Sequence, residues 1–303
     1  MVIRDGDSFI MNTGVAIIKS LVYENIENIF ERVKDVSRNI IENSLVLLVF
    51  QKPDNLRNLS DDTEIKDFNK KIRELSSNFA RRNSCYFSPG TYLEVDGDKY
   101  YKTAILFDPG GQICLKQRQI FLDNNDKQRH IQRGQEINIY RSEIGNIGFI
   151  TGADCWYPEV GRFLALEGVD IVIYTNNLKD NNCWKQISGI WSQVQQNQFF
   201  ALEGSVGGYS LIHAPCEVTP YRTGLIPPQG VKVSSKEYAL NPPLYIKFLN
   251  KQLSEIKGFD IYITSLNYSD LEEIRYKYPL RKELNPGLYQ LSGIDKLSLK
   301  GDR

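Results

Sequence analysis

The stretch GNIGFITGADCWYPEVGRFLALEGVDIVIYTNN, residues 145–177, decides the fold of this chain. Its apolar run Ile147 to Ile150 predicts a strand, and the small residues Gly152 and Ala153 lead from it to Cys155. An amphipathic helix follows at once, and Val169 to Tyr174 predicts a second strand. A thiol on a tight turn between a strand end and a helix start gains exposure and nearby backbone N–H groups. These favour a thiolate and can hold an oxyanion. The same residue type at a strand end is also compatible with a buried structural thiol.

Working outward, strands and helices alternate. A first strand is expected around Gly14–Lys19, then a helix with Ile26, Ile29, Phe30, Val33, Val36, Ile40 and Ile41 at helical spacing. Leu45–Phe50 predicts a buried strand, and residues 52–60 a loop over the pocket. Asp61-x-x-Glu64 reads as a capping pair opening a helix whose stripe is Ile65, Phe68, Ile72, Leu75 and Phe79. Strands are expected at Cys85–Val95 and Tyr101–Phe107, hairpinned at Asp96-Gly97-Asp98, with Pro109-Gly110-Gly111 turning into Gln112–Arg118. Asp123–Gln135 is polar and without apolar period, so an exposed loop is expected there. An Asn- and Lys-rich loop over 176–182 precedes a helix near Trp184–Phe200. Strands follow at Phe200–Leu202, Tyr209–His213 and Ile261–Leu266, with helices over Leu244–Ile256 and Tyr268–Tyr276.

These residues resemble the carbon–nitrogen hydrolase (nitrilase) superfamily. Cys155-Trp156, Pro158-Glu159 and Arg162 through Asp170 are similar to its strand ending in a Cys–aromatic pair, its Pro-Glu and its Arg-x-Leu-Ala-Leu-x-Gly-Ala-Asp helix. Residues 99–111 resemble its Tyr-Asn-Thr-Ala strand and Asp-Pro-x-Gly turn, residues 191–216 its second Trp-to-Pro block, and 260–289 its closing strand, helix and Leu-Tyr ending. The resemblance implies an α/β fold, a four-layer αββα sandwich of the nitrilase type in which two sheets face each other under outer helices. It implies one domain over 1–303, with 224–258 as an insertion and 277–303 as a tail. It also implies a homodimer or higher homo-oligomer through the helix Pro158–Gly168, where Arg162 and Glu167 are either interface contacts or solvated charges.

The family's active members use a Glu–Lys–Cys triad, which the resemblance places here at Gln51, Gln119 and Cys155, with the backbone at Trp156 beside the oxyanion. A glutamine amide accepts no proton near neutral pH and carries no charge to oppose an oxyanion. Losing the Glu alone would strand a buried lysine at a cost of about 3–5 kcal/mol, so a paired change to amides removes both charges together. Lys116 is the candidate substitute cation if the register slips by three residues, and Lys102, at the Asn of Tyr-Asn-Thr-Ala, is a second; the favoured reading of each is a solvated surface lysine. Asp154 next to Cys155 is expected to raise the thiol pKa. Two readings stay open. In one the family pocket is kept with a silent or altered site. In the other an active amidase, nitrilase or acyl transferase works through an acyl intermediate on Cys155.

Bulk properties bound the alternatives. Hydrophobic residues make up 41% of 303, enough for a large core. Lys+Arg and Asp+Glu are 37 each, which leaves no charge footprint for nucleic acid or an anionic membrane. The first residues lack the apolar stretch of a signal peptide, and Leu45–Phe50 is far too short to span a bilayer. Five cysteines without C-x-x-C spacing suit reduced thiols in the cytoplasm, and neither a disulfide framework nor a zinc site. With only His130 and His213, a histidine metal centre is not expected, and His213 reads as a strand residue. The expected partner is a small-molecule ligand or substrate, with no cofactor.

Overall fold

The computed structural model describes residues 2–4, 7–9, 12–21, 24–36, 43–51, 62–176, 183–233, 241–256 and 258–283. A short hairpin, β1 (Val2–Arg4) with β2 (Asp7–Phe9), precedes β3 (Asn12–Ser20). Through α1 (Ile26–Val36) the chain reaches β4 (Leu45–Val49), parallel to β3. Through α2 (Asp62–Asn83) it reaches β5 (Tyr86–Ser88), parallel to β4. All five residues of β4 are buried, as a continuous apolar run covered on both faces requires. β6 (Thr91–Asp96), β7 (Lys99–Phe107) and β8 (Ile113–Arg118) add antiparallel rungs. The expected single strand over 85–95 is thus two, broken at Pro89-Gly90, where a proline has no ladder donor.

A second sheet begins after α3 (Asn124–Gln128). It holds β9 (Ile139–Ser142), β10 (Gly145–Thr151), β11 (Ile171–Asn176), β12 (Phe200–Ser205) and β13 (Leu211–His213). Its central strands β10, β11 and β12 are parallel. Between them run a 3₁₀ turn at Gly152–Trp156, α4 (Pro158–Leu166), α5 (Cys183–Gln186), a π-helical turn at Ile187–Trp191 and α6 (Ser192–Asn197). The chain returns through α7 (Pro242–Lys251) to β14 (Ser254–Ile256) and β15 (Phe259–Asn267), then ends its described part with α8 (Tyr268–Lys277). β15 pairs antiparallel with β3 over the full length of both, completing an eight-stranded first sheet. The helix expected over 244–256 stops at Lys251, and its last three residues form edge strand β14.

Strand parity assigns the layers. Val15, Ile17, Leu47, Ala104, Leu106 and Leu115 of the first sheet meet Ile147, Phe149, Ile171, Ile173, Phe200 and Leu202 of the second. The alternate residues Ala16, Ile18, Val46, Leu48 and Ile105 face α1 and α2 through Ile29, Phe30, Val33, Ile72 and Phe79. On the far side Ile150, Val172, Tyr174 and Ala201 face α4 and α6 through Val160, Leu164, Ala165 and Val194. The architecture is an αββα sandwich. In the 224–258 segment, Tyr245, Ile246 and Leu249 of α7 pack on Leu211 and Leu225. The end of the first helix, the 52–60 loop, the capping residue Asp61, most of the 176–182 loop and the tail beyond residue 283 lie outside the described residues.

Candidate active site

The site is built where β8 and β10 end. Beyond Arg118 the ladder between β7 and β8 continues for one rung, Gln119 N donating to Lys102 O at 2.8 Å. Lys102 shares the parity of Ala104 and Leu106, so it leaves β7 toward the second sheet, beside Gln119. Gln119 is 1% exposed, and its Nε2 donates to Phe121 O at 2.6 Å and Asp126 Oδ2 at 2.8 Å. Lys102 Nζ forms an ion pair with the same Asp126 carboxylate, which is fully buried. The segment expected as an exposed loop therefore carries α3. Its capping box, Asp123 with Asp126, turns a carboxylate inward to two partners. Asp123-x-x-Asp126 was the one available signal for it, in a stretch with no apolar period.

Asp154 ties this strand exit to the turn after β10. Its carboxylate accepts from the backbone N–H groups of Ile120 (3.0 Å) and Phe121 (2.7 Å) and from Thr151 Oγ1 (2.8 Å). Burial pushes the Asp154 carboxyl up to about 6, against the opposing pull of those hydrogen bonds. Phe121 stacks on Tyr157, with ring centroids 3.7 Å apart, across the same junction.

Cys155 lies one 3₁₀ turn past the strand end, 2% exposed, among the side chains between the second sheet and its helices. Its Sγ is hydrogen-bonded to Oη of Tyr174 at 2.9 Å. Gly189 of the π-helical turn closes over it; a β-carbon built there would stand 3.4 Å from Sγ. Burial pushes the Cys155 thiol up to about 12. The Tyr174 hydrogen bond opposes this, and the nearby carboxylates of Glu203 and Asp154 add to it. Glu203 sits beside Tyr174 across the β11–β12 ladder and is itself buried, held by His213 Nε2 at 2.9 Å and by Asn176 Nδ2 at 3.0 Å. His213 is a residue of β13. Tyr174 carries no sequence signal beyond being the polar-tipped member of an apolar run.

The structure brings Gln119 to the turn that bears Cys155, but against Gly152, whose built β-carbon would fall 2.6 Å from Gln119 Oε1. Gln51 stands two residues past β4, half-buried, with no hydrogen bond to Gln119 or Cys155. Lys116 leaves β8 on the side opposite Leu115 and Gln117 and forms an ion pair with Glu94, which also takes Arg118 at 2.9 Å. The Trp156 ring is half exposed and lies beside Gly189. Among the described residues no group of three or more His, Cys, Asp or Glu side chains is arranged to hold a metal ion. The arrangement leaves a protonated thiol held by a phenol, and a lysine neutralised by an acid.

Residues 15–203 match the carbon-nitrogen hydrolase family. The nitrilase of Pyrococcus abyssi is 31% identical over 99 residues, 33% of this chain and 37% of that protein. The chain thus aligns with about a third of the length of the curated relatives it matches. A carbon-nitrogen hydrolase structure from Helicobacter pylori G27 superposes with a TM-score of 0.69 at 14% identity, over 92% of this chain and 97% of that one. An amidase from Nesterenkonia sp. AN1 superposes with a TM-score of 0.57 at 14% identity, over 67% of this chain and 85% of that one. It is a glutamate-to-glutamine variant that took up acrylamide by Michael addition at its active-site cysteine.

Proposed function

The chain belongs to the carbon–nitrogen hydrolase superfamily, and from that premise we propose that it is a member whose hydrolytic site is silent, kept as a folded pocket for a small-molecule ligand. One observation carries the reading: Cys155 is enclosed, hydrogen-bonded to Tyr174 and held as the neutral thiol, with burial pushing it up to about 12. A nucleophilic cysteine must ionise near neutral pH, and its partner must take the proton. Gln51 and Gln119 supply neither a base nor a cation. The Nesterenkonia amidase variant sharpens this point. There a glutamate changed to glutamine left a cysteine that still added to acrylamide. That glutamate-to-glutamine change did not stop the relative's cysteine from reacting, and in this chain we take burial of Cys155 on the helix-covered side of its sheet to be what silences the thiol.

The charge pattern supports the same conclusion. The lysine nearest Gln119 is Lys102, and its ammonium is already neutralised by buried Asp126, so it is not free to oppose an oxyanion. The free thiols Cys85, Cys114, Cys155 and Cys216 support a reducing, cytoplasmic setting. No helix of the described residues is long and apolar enough to cross a membrane. A homodimer through α4 is part of the same proposal, carried by the family resemblance. The test is a panel of small amides and nitriles assayed with the wild type and Cys155→Ala. No turnover above background in either is expected. Turnover by the wild type that disappears in Cys155→Ala would establish the active amidase or nitrilase reading instead.

A further inference from the structure

We propose that Gly152, rather than Cys155, occupies the reactive position of this site, and that the carboxamide of Gln119 fills the volume a nucleophilic side chain would take there. The inference deepens the silent-site reading and rests on it. The resemblance calls for a nucleophile where a strand ends. β10 ends at Thr151, and the first residue beyond it is Gly152, with Cys155 three positions further round the 3₁₀ turn. The backbone at Gly152 has φ +50°, the conformation of a sharp turn that lifts whatever side chain it bears away from the strand.

That direction is occupied. A β-carbon on Gly152 would lie 2.6 Å from Gln119 Oε1 and 3.3 Å from its Cδ. The amide cannot swing aside freely, because Nε2 is fixed by Phe121 O and Asp126 Oδ2. Oε1 itself is buried and has no hydrogen-bond partner among the described residues. A buried acceptor without a donor needs a physical reason: here the two bonds from Nε2 fix the amide plane, and the missing side chain at position 152 gives Oε1 its room. Asp154 clamps the geometry from the other end, binding the backbone of Ile120 and Phe121. The side of the turn facing the end of β8 thus presents a glycine and a glutamine to each other, and Cys155 belongs to the core behind the sheet.

The experiment is a double-mutant cycle on Gly152→Ala and Gln119→Ala, read as thermal midpoints. Strain from the positive φ is common to both backgrounds and cancels in the cycle. Gly152→Ala is expected to lower Tm by about 2–4 °C more when Gln119 is present than in the Gln119→Ala background. Equal losses in both backgrounds would overturn the assignment. Should Gly152→Ala fail to fold, the triple variant Gly152→Cys/Gln119→Ala/Cys155→Ser is treated with iodoacetamide near pH 7. The thiol placed at position 152 should be alkylated at least about tenfold faster than Cys155 of the wild type, and an equal or slower rate would overturn the assignment. The two failures are distinguishable, since only the first sinks both readings. Amide turnover lost in Cys155→Ala refutes silence at the site, whereas additive Tm losses refute only the placement of Gly152.

Discussion

Asp154 joins the two ends of the candidate site through a single carboxylate, and its titration makes that junction visible. Its folded-state pKa stands near 6, above the ordinary carboxyl value, so the folded chain holds this proton more tightly than the unfolded chain. The contribution to stability is full below about pH 4 and is lost as pH rises through about 6, an effect of about 3 kcal/mol. Asp154→Asn removes it. The variant is therefore expected to gain on the wild type by up to that amount between about pH 4 and 7 in urea denaturation, and a pH-independent difference would contradict the account. The Lys102–Asp126 pair gives a second prediction. Lys102→Met leaves a buried carboxylate without its cation and should cost about 3–5 kcal/mol, most of it recovered by adding Asp126→Asn. At this scale the sequence was informative about chemistry and silent about direction. Cys155, Gln119 and Asp154 were visible as residues. The 3₁₀ turn that sends Cys155 behind the sheet and leaves Gly152 facing Gln119 has no signature in residue type.

Among the elements, β6, β7 and β8 are joined by Glu94, which binds Arg118, Lys116 and Thr103. Burial alone would raise the Glu94 carboxyl, and those three hydrogen bonds overcome it and hold the group near 2. A depressed carboxyl contributes stability above its unfolded value, and that contribution is lost as pH falls toward 2. Glu94→Gln should therefore cost about 1–3 kcal/mol at neutral pH, the partly exposed partners limiting the figure, and cost little near pH 2. A cost that persists at low pH in equilibrium unfolding would count against the network. Closeness of α4 to α6 is a separate matter of packing. A β-carbon on Gly161 would lie 2.0 Å from Gln193 Oε1, so Gly161→Ala should destabilise by about 1–3 kcal/mol in the same assay. Helices α1 and α2 and strand β4 were legible because apolar spacing alone carries their faces. α3 was not, because a five-residue polar helix has no periodicity and its reason for existing is a buried ion pair contributed by β7.

For the whole molecule, the alternation of strands and helices agreed with the αββα sandwich that the family resemblance implied. It was insufficient for the order of strands within each sheet. β15, near the end of the described chain, lies beside β3 near its start, a pairing nine residues long that no local pattern encodes. Arg275 of α8 reaches Asp170 at 2.6 Å and the backbone oxygens of Val169 and Gln198, fastening this late helix to the second sheet. The core between the sheets draws side chains from both. One cooperative thermal transition is therefore expected for the full chain by calorimetry. Two resolved transitions would contradict the single-domain organisation we propose. Silence of the site turns on the ionisation of Cys155, read as its rate of alkylation by iodoacetamide against pH, with peptide mass spectrometry separating it from the other thiols. A rate at about pH 7 no faster than that of a free cysteine, and a midpoint well above the ordinary thiol value of about 8.5, is the result predicted. Alkylation faster than a free cysteine at about pH 6–7 would contradict it.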